Sequence, residues 1–335
     1  MILVTGGTGL VGAHLLYQLT QKEEKVRALR RATSSISQTE KTFSFYTSRP
    51  DKLFSKIEWV EGDILDIDSL LQAMDGIEKV YHTAAMVSFD PQDAGEILGT
   101  NVTGTANMVN AGLEKKVKKL CYVSSVAALG HAGMEDVTTE KAEWKSGQRT
   151  SPYAISKYEA EREVWRGIAE GLKAVIVNPA IILGAGNFNT GSSRMFQTVY
   201  NGLKFYTRGI NGYVDVNDVA KAMILLMEGT FSGEQFILSS ENLSYKKLFE
   251  IMAQSLGVEP PKHKAGIVLS ELSWRLLKVH SFLTGKKPLI TRQTAKTANQ
   301  FYRYSNEKFV KATGMRFMPM AESIKRTSGI FLKDK

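Results

Sequence analysis

Short runs of aliphatic and β-branched residues recur along the first half of the chain, and the segments between them carry apolar positions at helical spacing. Ile2–Val4, Val26–Leu29, Ile57–Val60, Lys79–His82, Leu120–Ser124 and Ala174–Asn178 read as strands. A helix opening after Gly12, with Leu15, Leu16 and Leu19 on its apolar stripe, and further helices over Ile67–Met74, Thr103–Glu114 and Ser156–Glu170 lie between or after them. This alternation predicts an α/β fold, a Rossmann-type doubly wound parallel sheet covered by helices on both faces. After Pro179 the pattern loosens. Residues 184–191 (GAGNFNTG) read as a loop, Val219–Met227 and Tyr245–Leu256 as helices, Gln235–Leu238 as a late strand, and residues 260–335 as mostly helical. The chain therefore divides into a sheet domain over 1–178 and a smaller, mostly helical C-terminal lobe over 179–335, interleaved with late elements of the sheet.

Between the first strand and the first helix stands Thr5-Gly6-Gly7-Thr8-Gly9-Leu10-Val11-Gly12. Gly6, Gly9 and Gly12 at three-residue spacing allow a tight turn, a close backbone approach to a ligand, and helix–sheet contact, while the helix N–H groups face an anion. The expected ligand is the pyrophosphate of a dinucleotide, which makes 1–178 the dinucleotide-binding domain and 179–335 the substrate lobe. An ordinary strand–helix turn can carry the same glycines; the position, flush against a strand and opening a helix, is what favours the ligand.

The chain has 335 residues, 43% of them apolar, long for one core and ordinary in composition. With a strand expected from residue 2, no signal peptide is expected; no apolar run reaches a membrane span of roughly 18–20 residues, and the lone Cys121, in an apolar strand, is expected as a buried thiol. The expected location is cytoplasmic. The net charge of +9 is uneven: residues 264–335 hold 15 Lys+Arg against 4 Asp+Glu, a balance of +11, and the remaining 28 basic and 30 acidic residues give −2. That points away from a generally sticky basic protein and towards one basic C-terminal lobe, and no nucleic-acid partner is expected. Residues 265–283 cluster Ile267, Leu269, Leu272, Trp274, Leu276, Leu277 and Phe282, with Lys262, Lys264, Arg275, Lys278, Lys286 and Lys287 among or beside them. Such a segment suits a lid over an apolar, anionic substrate, an anionic membrane surface (the less favoured partner), or a plain solvated face.

Tyr153-Ala154-Ile155-Ser156-Lys157 sets a phenol and an ammonium at i and i+4, neighbours on one helix face. The ammonium is expected to lower the phenol pKa from about 10 towards neutrality, so that Tyr153 can exchange a proton with a substrate oxygen; Lys157 can also reach a cofactor ribose. The bland alternative is a plain amphipathic helix. Ser124-Ser125 at the end of the Cys121 strand offers a second hydroxyl to the substrate, with Ser124 expected as the helix-capping serine. His14, His131, His263 and His280 have no metal-ligand spacing, and no metal is expected.

These segments resemble the extended short-chain dehydrogenase/reductase superfamily across residues 1–330. The carriers are TGGTGLVG at 5–12, GDI at 62–64, HTAA at 82–85, NVTGT at 101–105 and YVSSVAALG at 122–130. YAISK at 153–157, NPAIILGAG at 178–186, GYVDVNDVA at 212–220 and YSNEKFVKATGMRF at 304–317 complete them. The resemblance implies Tyr153 as acid/base, Lys157 as its modulator and ribose ligand, and Ser125 as the group orienting the substrate carbonyl. It implies a cofactor held by Gly6, Gly9, Leu10, Val11, Arg30, Arg31, Asp63, Ile64, Ala84, Ala85, Asn101, Lys157 and Pro179. Asp63 and Ile64 would flank the adenine, Ala84 and Ala85 lie under the pyrophosphate and ribose, and Asn101 brace the loops. His82 would be a packing residue, and a homodimer through a helix pair is the common assembly.

Sugar-nucleotide dehydratases of the superfamily carry an Asp-Glu pair where this chain has Val126-Ala127-Ala128, which argues against dehydration. The remaining motifs are most similar to the dihydroflavonol reductase, cinnamoyl-CoA reductase and 3β-hydroxysteroid dehydrogenase branches. The expected activity is hydride transfer between NADP and the carbonyl or alcohol of a fairly large small-molecule substrate. A sugar-nucleotide epimerase with tightly bound NAD, and a non-catalytic dinucleotide sensor, are the alternatives. NADP is expected over NAD because the second strand ends Arg30-Arg31-Ala32-Thr33-Ser34 and no acid occurs between Glu24 and Glu40 to bind a ribose 2′-OH.

Overall fold

The computed structural model describes residues 1–22, 24–130, 136–144, 151–266, 274–275 and 297–335. Six strands of the sheet domain come in chain order: β1 Ile2–Thr5, β2 Val26–Arg30, β3 Ile57–Glu61, β4 Lys79–His82, β5 Lys119–Val123 and β6 Ala174–Pro179. The second half adds β7 Ile181–Leu183, β8 Phe205–Tyr206, β9 Ile210–Asp215, β10 Glu234–Leu238, β11 Glu241–Ser244 and β12 His263–Lys264. Seven of these form one sheet in the order β10-β6-β5-β4-β1-β2-β3, and each neighbouring pair is parallel. The strand order reverses at β1 and β4, which opens a crevice at the carboxyl ends of the strands.

Period-two alternation explains why the sheet is covered on both sides. Ile2, Val4, Cys121, Val123, Val175 and Val177 enter one core, shared with the Leu10–Gln21 and Val216–Glu228 helices. Leu3, Leu120, Tyr122, Ala174 and Ile176 enter the opposite core with Met108, Val109, Ala160 and Val164 of the Gly104–Glu114 and Pro152–Ala169 helices. Cys121 is fully buried, and burial pushes its thiol up to about 12.

Three segments differ from the expectation. The helix expected over Ser156–Glu170 spans Pro152–Ala169: Pro152 occupies its first turn, and the Ser151 hydroxyl accepts from Ala154 N at 3.1 Å. The stretch between β2 and β3 folds into helices at Ser37–Ser44 and Pro50–Phe54. Beyond Pro179 a second sheet, β11-β9-β7, appears beside the expected late strand. Within 260–335, helices occupy Glu307–Thr313 and Met320–Asp334 among the described residues. His131, His280 and most of the apolar and basic cluster of 265–283, with Lys286 and Lys287, lie outside the described residues; Arg275 stands 4.7 Å over the Trp274 ring. No helix among the described residues is long and apolar enough to cross a membrane.

The second lobe has its own core, in which Leu183, Phe196, Tyr213, Leu248, Met252, Ile324 and Phe331 meet. Its last helix is tied to β9 by Asp215, a fully buried carboxylate. Asp215 caps the following helix by accepting from Asn217 N at 2.8 Å, and also accepts from Ser323 Oγ and Arg326 Nη2. Removing the buried carboxylate takes the acceptor from Asn217 N, from the Ser323 hydroxyl and from Arg326, whose side chain is 32% exposed. Asp215→Ala is expected to lower unfolding free energy by about 3 kcal/mol, read from the urea midpoint at unchanged m-value; a loss below about 1 kcal/mol would show that the pair adds no more than a surface contact.

Candidate active site

The glycine turn after β1 is fixed by close approach. Gly6 has φ +70°, and a Cβ there would lie 2.6 Å from Ala84 N. At Gly12 a Cβ would fall 2.1 Å from the Gly6 carbonyl oxygen, so both positions need glycine. Gly9 differs: the Gly6 oxygen, at 3.3 Å, is the single neighbour its Cβ would meet, and its other side is open. That open side belongs to a cavity of about 330 Å3 between Thr8, Gly9, Leu10 and Ala13, Gln38 and Thr42 of the second helix, and residues 186–193. Gln38 Nε2 is buried there with no hydrogen-bond partner, a donor with nothing to donate to. A Gly-cradled helix N-terminus, hydroxyls and an unanswered amide suit a pyrophosphate, so the residues fit a dinucleotide on this side. Thr39 braces the turn by donating to Gly7 O at 3.1 Å.

The other expected site residues sit at the same end of the sheet. Arg30 closes β2 and Arg31 follows it; Pro179 is the last residue of β6. Asp63 and Ile64 follow β3, the Asp63 carboxylate accepting from Leu65 N at 3.0 Å. Ala84 and Ala85 follow β4, with Ala84 N donating to Thr5 Oγ1 at 3.3 Å. Leu10 and Val11 open the first helix. Asn101 lies in a π-helical turn, Gly99–Thr103, and bridges Met86 N and O (2.7 and 3.0 Å) and Ser156 Oγ (2.9 Å). Arg30 and Ser125 are separated by three strand spacings, about 14 Å, so the two ends of an extended dinucleotide would meet different residues. Arg30 faces Glu61 of the neighbouring strand at 3.8 Å, an acid the linear sequence does not place beside it.

Around Tyr153 two expectations are corrected. The capping serine is Ser125, whose Oγ accepts from Ala127 N at 3.1 Å; Ser124 instead donates to Glu161 at 2.6 Å. The reason is the strand end itself: Ser124 still points into the sheet–helix core, and Ser125 turns into the Val126–Ala128 turn. The Tyr153 phenol is pushed up by burial, with a hydrogen bond to Ser125 pulling the other way. The Lys157 ammonium is committed elsewhere, donating to Tyr122 OH at 3.0 Å and Val123 O at 2.7 Å and lying 4.6 Å from the Tyr122 ring centre. Lys157 is 2% exposed; desolvation pushes it down to about 7, and Glu161 raises it. Phe89 stands edge-on to Tyr153 at 5.7 Å, on the solvent side.

Sequence reasoning missed Tyr122 and Glu161. Glu161 lies one helical turn beyond Lys157, an i, i+4 spacing that the sequence does display. His82, assigned to packing, hydrogen-bonds Thr5 Oγ1 at 2.7 Å and Thr105 Oγ1 at 3.2 Å and stacks on Tyr122. Among the described residues no group of three His, Cys, Asp or Glu side chains could hold a metal ion.

Comparison with known proteins places this geometry. The family model described as the NAD dependent epimerase/dehydratase family matches residues 2–238. A Synechocystis protein named "Putative dihydroflavonol 4-reductase" is 31% identical over 326 residues, covering 93% of this chain and 89% of its own. Cinnamoyl-CoA reductase 1 of Petunia hybrida is 24% identical, covering 98% and 90%. The solved UDP-glucose 4-epimerase of Thermotoga maritima shares the fold at a TM-score of 0.78, with 20% identity and 99% of each chain covered. The chain belongs to the NAD dependent epimerase/dehydratase family and is an NAD(P)-dependent enzyme.

Two buried imidazoles next to this site make stability acid-sensitive. Burial lowers His14 from 6.5 to about 4, and burial together with the Lys157 charge lowers His82 to about 3. Below the ordinary value the unfolded chain takes up protons that the folded chain refuses, so this contribution is complete above pH 6.5 and is lost as pH falls towards 4 and 3. The urea midpoint is expected to drop between about pH 7 and about pH 4.5, and to drop less in His82→Gln, which has one fewer such group. An equal drop in the variant would acquit His82.

Proposed function

We propose that the chain is an NADP-dependent carbonyl reductase or alcohol dehydrogenase acting on a fairly large substrate with an apolar body, with Tyr153 as its acid/base. The observation that carries this reading is the half-buried Tyr153, hydrogen-bonded with Ser125 just beyond β5, with Lys157 one turn further along the same helix. When bound, the nicotinamide supplies or accepts the hydride. In the reductive direction Ser125 Oγ donates to the carbonyl oxygen and orients it. Tyr153 Oη then passes its proton to that oxygen as negative charge develops. A phenol held protonated by burial is suited to this role as an acid. Lys157 uses two of its three N–H bonds on Tyr122 and Val123, which leaves one for a ribose hydroxyl. Val87 and Phe89, both exposed beside the site, support an apolar substrate body. The turn after Ser125 carries Val126, Ala127 and Ala128 and no carboxylate, which argues against a dehydratase step.

Tyr153→Phe is expected to keep fold and cofactor affinity while turnover falls on the order of 10²–10⁴-fold, followed as loss of NADPH absorbance with a panel of aryl and alkyl aldehydes and ketones. A variant with most of its turnover intact removes Tyr153 from the chemistry. Cofactor that stays bound through gel filtration and is never consumed in stoichiometric amounts would instead favour an epimerase.

NADP is proposed over NAD because Arg30 closes β2 and Arg31 follows it, where a 2′-phosphate would be met by charge-assisted hydrogen bonds. Glu61 beside Arg30 tempers this attraction and is mostly exposed. In fluorescence titrations NADPH is expected to bind more tightly than NADH, and Arg30→Asp to reverse the order. Equal or tighter NADH binding by the parent protein refutes the assignment.

A further inference from the structure

Phe89 is left 39% exposed, and its ring stands edge-on to that of Tyr153, with centres 5.7 Å apart and planes at 66°. A single exposed apolar side chain is common and by itself says nothing. Here the turn that carries it is fastened at both ends. Before Phe89, the buried Asn101 accepts from Met86 N at 2.7 Å and donates to Met86 O at 3.0 Å. The same amide donates to Ser156 Oγ at 2.9 Å, which in turn donates to the Tyr153 carbonyl at 2.8 Å. Next to Phe89, Ser88 Oγ donates to Asp93 Oδ2 at 2.6 Å and accepts from Asp90 N at 3.1 Å. Asp90 caps the following turn by accepting from Gln92 N at 3.0 Å. The segment is thereby tied to the helix that carries Tyr153, and polar groups hold an apolar ring out of the core, against the phenol.

We propose that Phe89 is a specificity-determining residue of the Tyr153 site, a fixed wall that admits a straight or planar substituent on the reacting carbonyl and excludes one branched next to it. The proposal rests on reading Tyr153 as the acid/base. A carbonyl oxygen that accepts from Tyr153 Oη cannot retreat from the phenol, so a substituent on its carbon has to pass the neighbouring Phe89 ring. A straight or planar group passes in van der Waals contact, whereas a branch at the first carbon collides with the ring. The turn cannot swing aside to relieve the collision without breaking its bonds to Asn101 at one end or to Asp93 at the other. Such a wall selects by what it excludes, which an adaptable apolar lining does not do. The same ring covers an edge of the half-buried Tyr153 that would otherwise meet solvent.

The test has one arm without substrate and one with it. In the first, the parent chain and Phe89→Ala are treated with N-acetylimidazole, and acetylation of each tyrosine is followed by peptide mass spectrometry. Removing the ring uncovers Tyr153, whose acetylation rate is expected to rise several-fold. Tyr158 on the same helix, half-buried and stacked on Trp144 at 4.4 Å, is expected to react as before and serves as the internal reference. Phe89→Leu keeps an apolar wall and should stay near the parent. In the second arm, kcat/KM with NADPH is compared for pentanal and pivaldehyde, isomers that differ in branching at the carbon next to the carbonyl. The parent is expected to favour pentanal, and Phe89→Ala to shrink that preference by about tenfold. An unchanged Tyr153 acetylation rate overturns the proposal, and does so even if neither aldehyde is reduced. Phe89→Ala that slows both aldehydes equally, with the preference intact, overturns it too, because a merely structural residue would act that way. Failure of Tyr153 as acid/base would instead appear as turnover retained in Tyr153→Phe, which leaves the acetylation comparison standing, so the two failures are distinguishable.

Discussion

A lysine ammonium buried to 2% exposure is the constraint around which the carboxyl end of the sheet is arranged. Such a charge persists only where its protons are answered, and here the answers come from strand β5: the Tyr122 hydroxyl, its ring face and the Val123 carbonyl. Tyr122 must therefore point at the Pro152–Ala169 helix, which fixes which face of β5 the alternation presents. A one-residue slip of the strand would turn Tyr122 to the opposite core and leave Lys157 without its partners. The same charge reaches His82 on the next strand, which stacks on Tyr122 and stays neutral, hydrogen-bonded to Thr5 beneath the glycine turn. One buried lysine is thereby linked directly to β5 and, through Tyr122 and His82, to β4 and β1.

The glycine turn contributes a second, steric constraint. With backbone or side-chain atoms 2.1–2.7 Å from the Cβ positions of Gly6 and Gly12, the first helix is drawn against β1 and β4. This aims its N-terminus into the crevice where strand order reverses. The steric and electrostatic constraints meet at Thr5, which ends β1 and hydrogen-bonds both His82 and Ala84. The strand order sets the glycine turn, then Ala84 and Ala85, then Ser125 and Lys157 in succession along one end of the sheet.

Much of this was legible in the sequence because period-two and period-3.6 patterns are local. Lys79–His82 and Tyr245–Leu256 fall where the pattern puts them, and Ser125, Tyr153 and Lys157 are found at one end of the sheet. The rest depends on tertiary contact. The Ser37–Ser44 helix begins with Ser37-x-x-Glu40, a helix-start pattern, yet the Ser37 hydroxyl bonds Ser35 and makes no cap, so the signal is weak even in hindsight. The β11-β9-β7 sheet rests on strands of three to six residues with no alternation to announce them. The direction of the Tyr153 shift was misjudged for a specific reason. Helical spacing says which side chains can meet, whereas Lys157 met a better acceptor on β5, and burial then decided the sign. Glu61 opposite Arg30 was invisible for the same reason, since strand pairing sets it.

The attachment of the second lobe separates two kinds of force. Its core of leucine, methionine and phenylalanine side chains supplies adhesion, but apolar contact is indifferent to direction. Direction comes from polar groups at the lobe's boundary with the sheet domain. Asp218 accepts from Met318 N at 2.6 Å, Ser240 donates to Met318 O at 2.7 Å and Glu241 accepts from Met320 N at 2.8 Å. Asp215 holds Ser323 and Arg326 one turn further on. These bonds grip the start of the last helix at three successive heights and leave it little freedom to rotate or slide. Asp215 closes β9 and caps the helix that packs on the sheet core, so the angle of the lobe is referred back to the same layer that positions Ser125 and Lys157. The later core is therefore held in register with the Ser125 and Lys157 end of the sheet by hydrogen bonds, while its apolar contacts can vary without moving them.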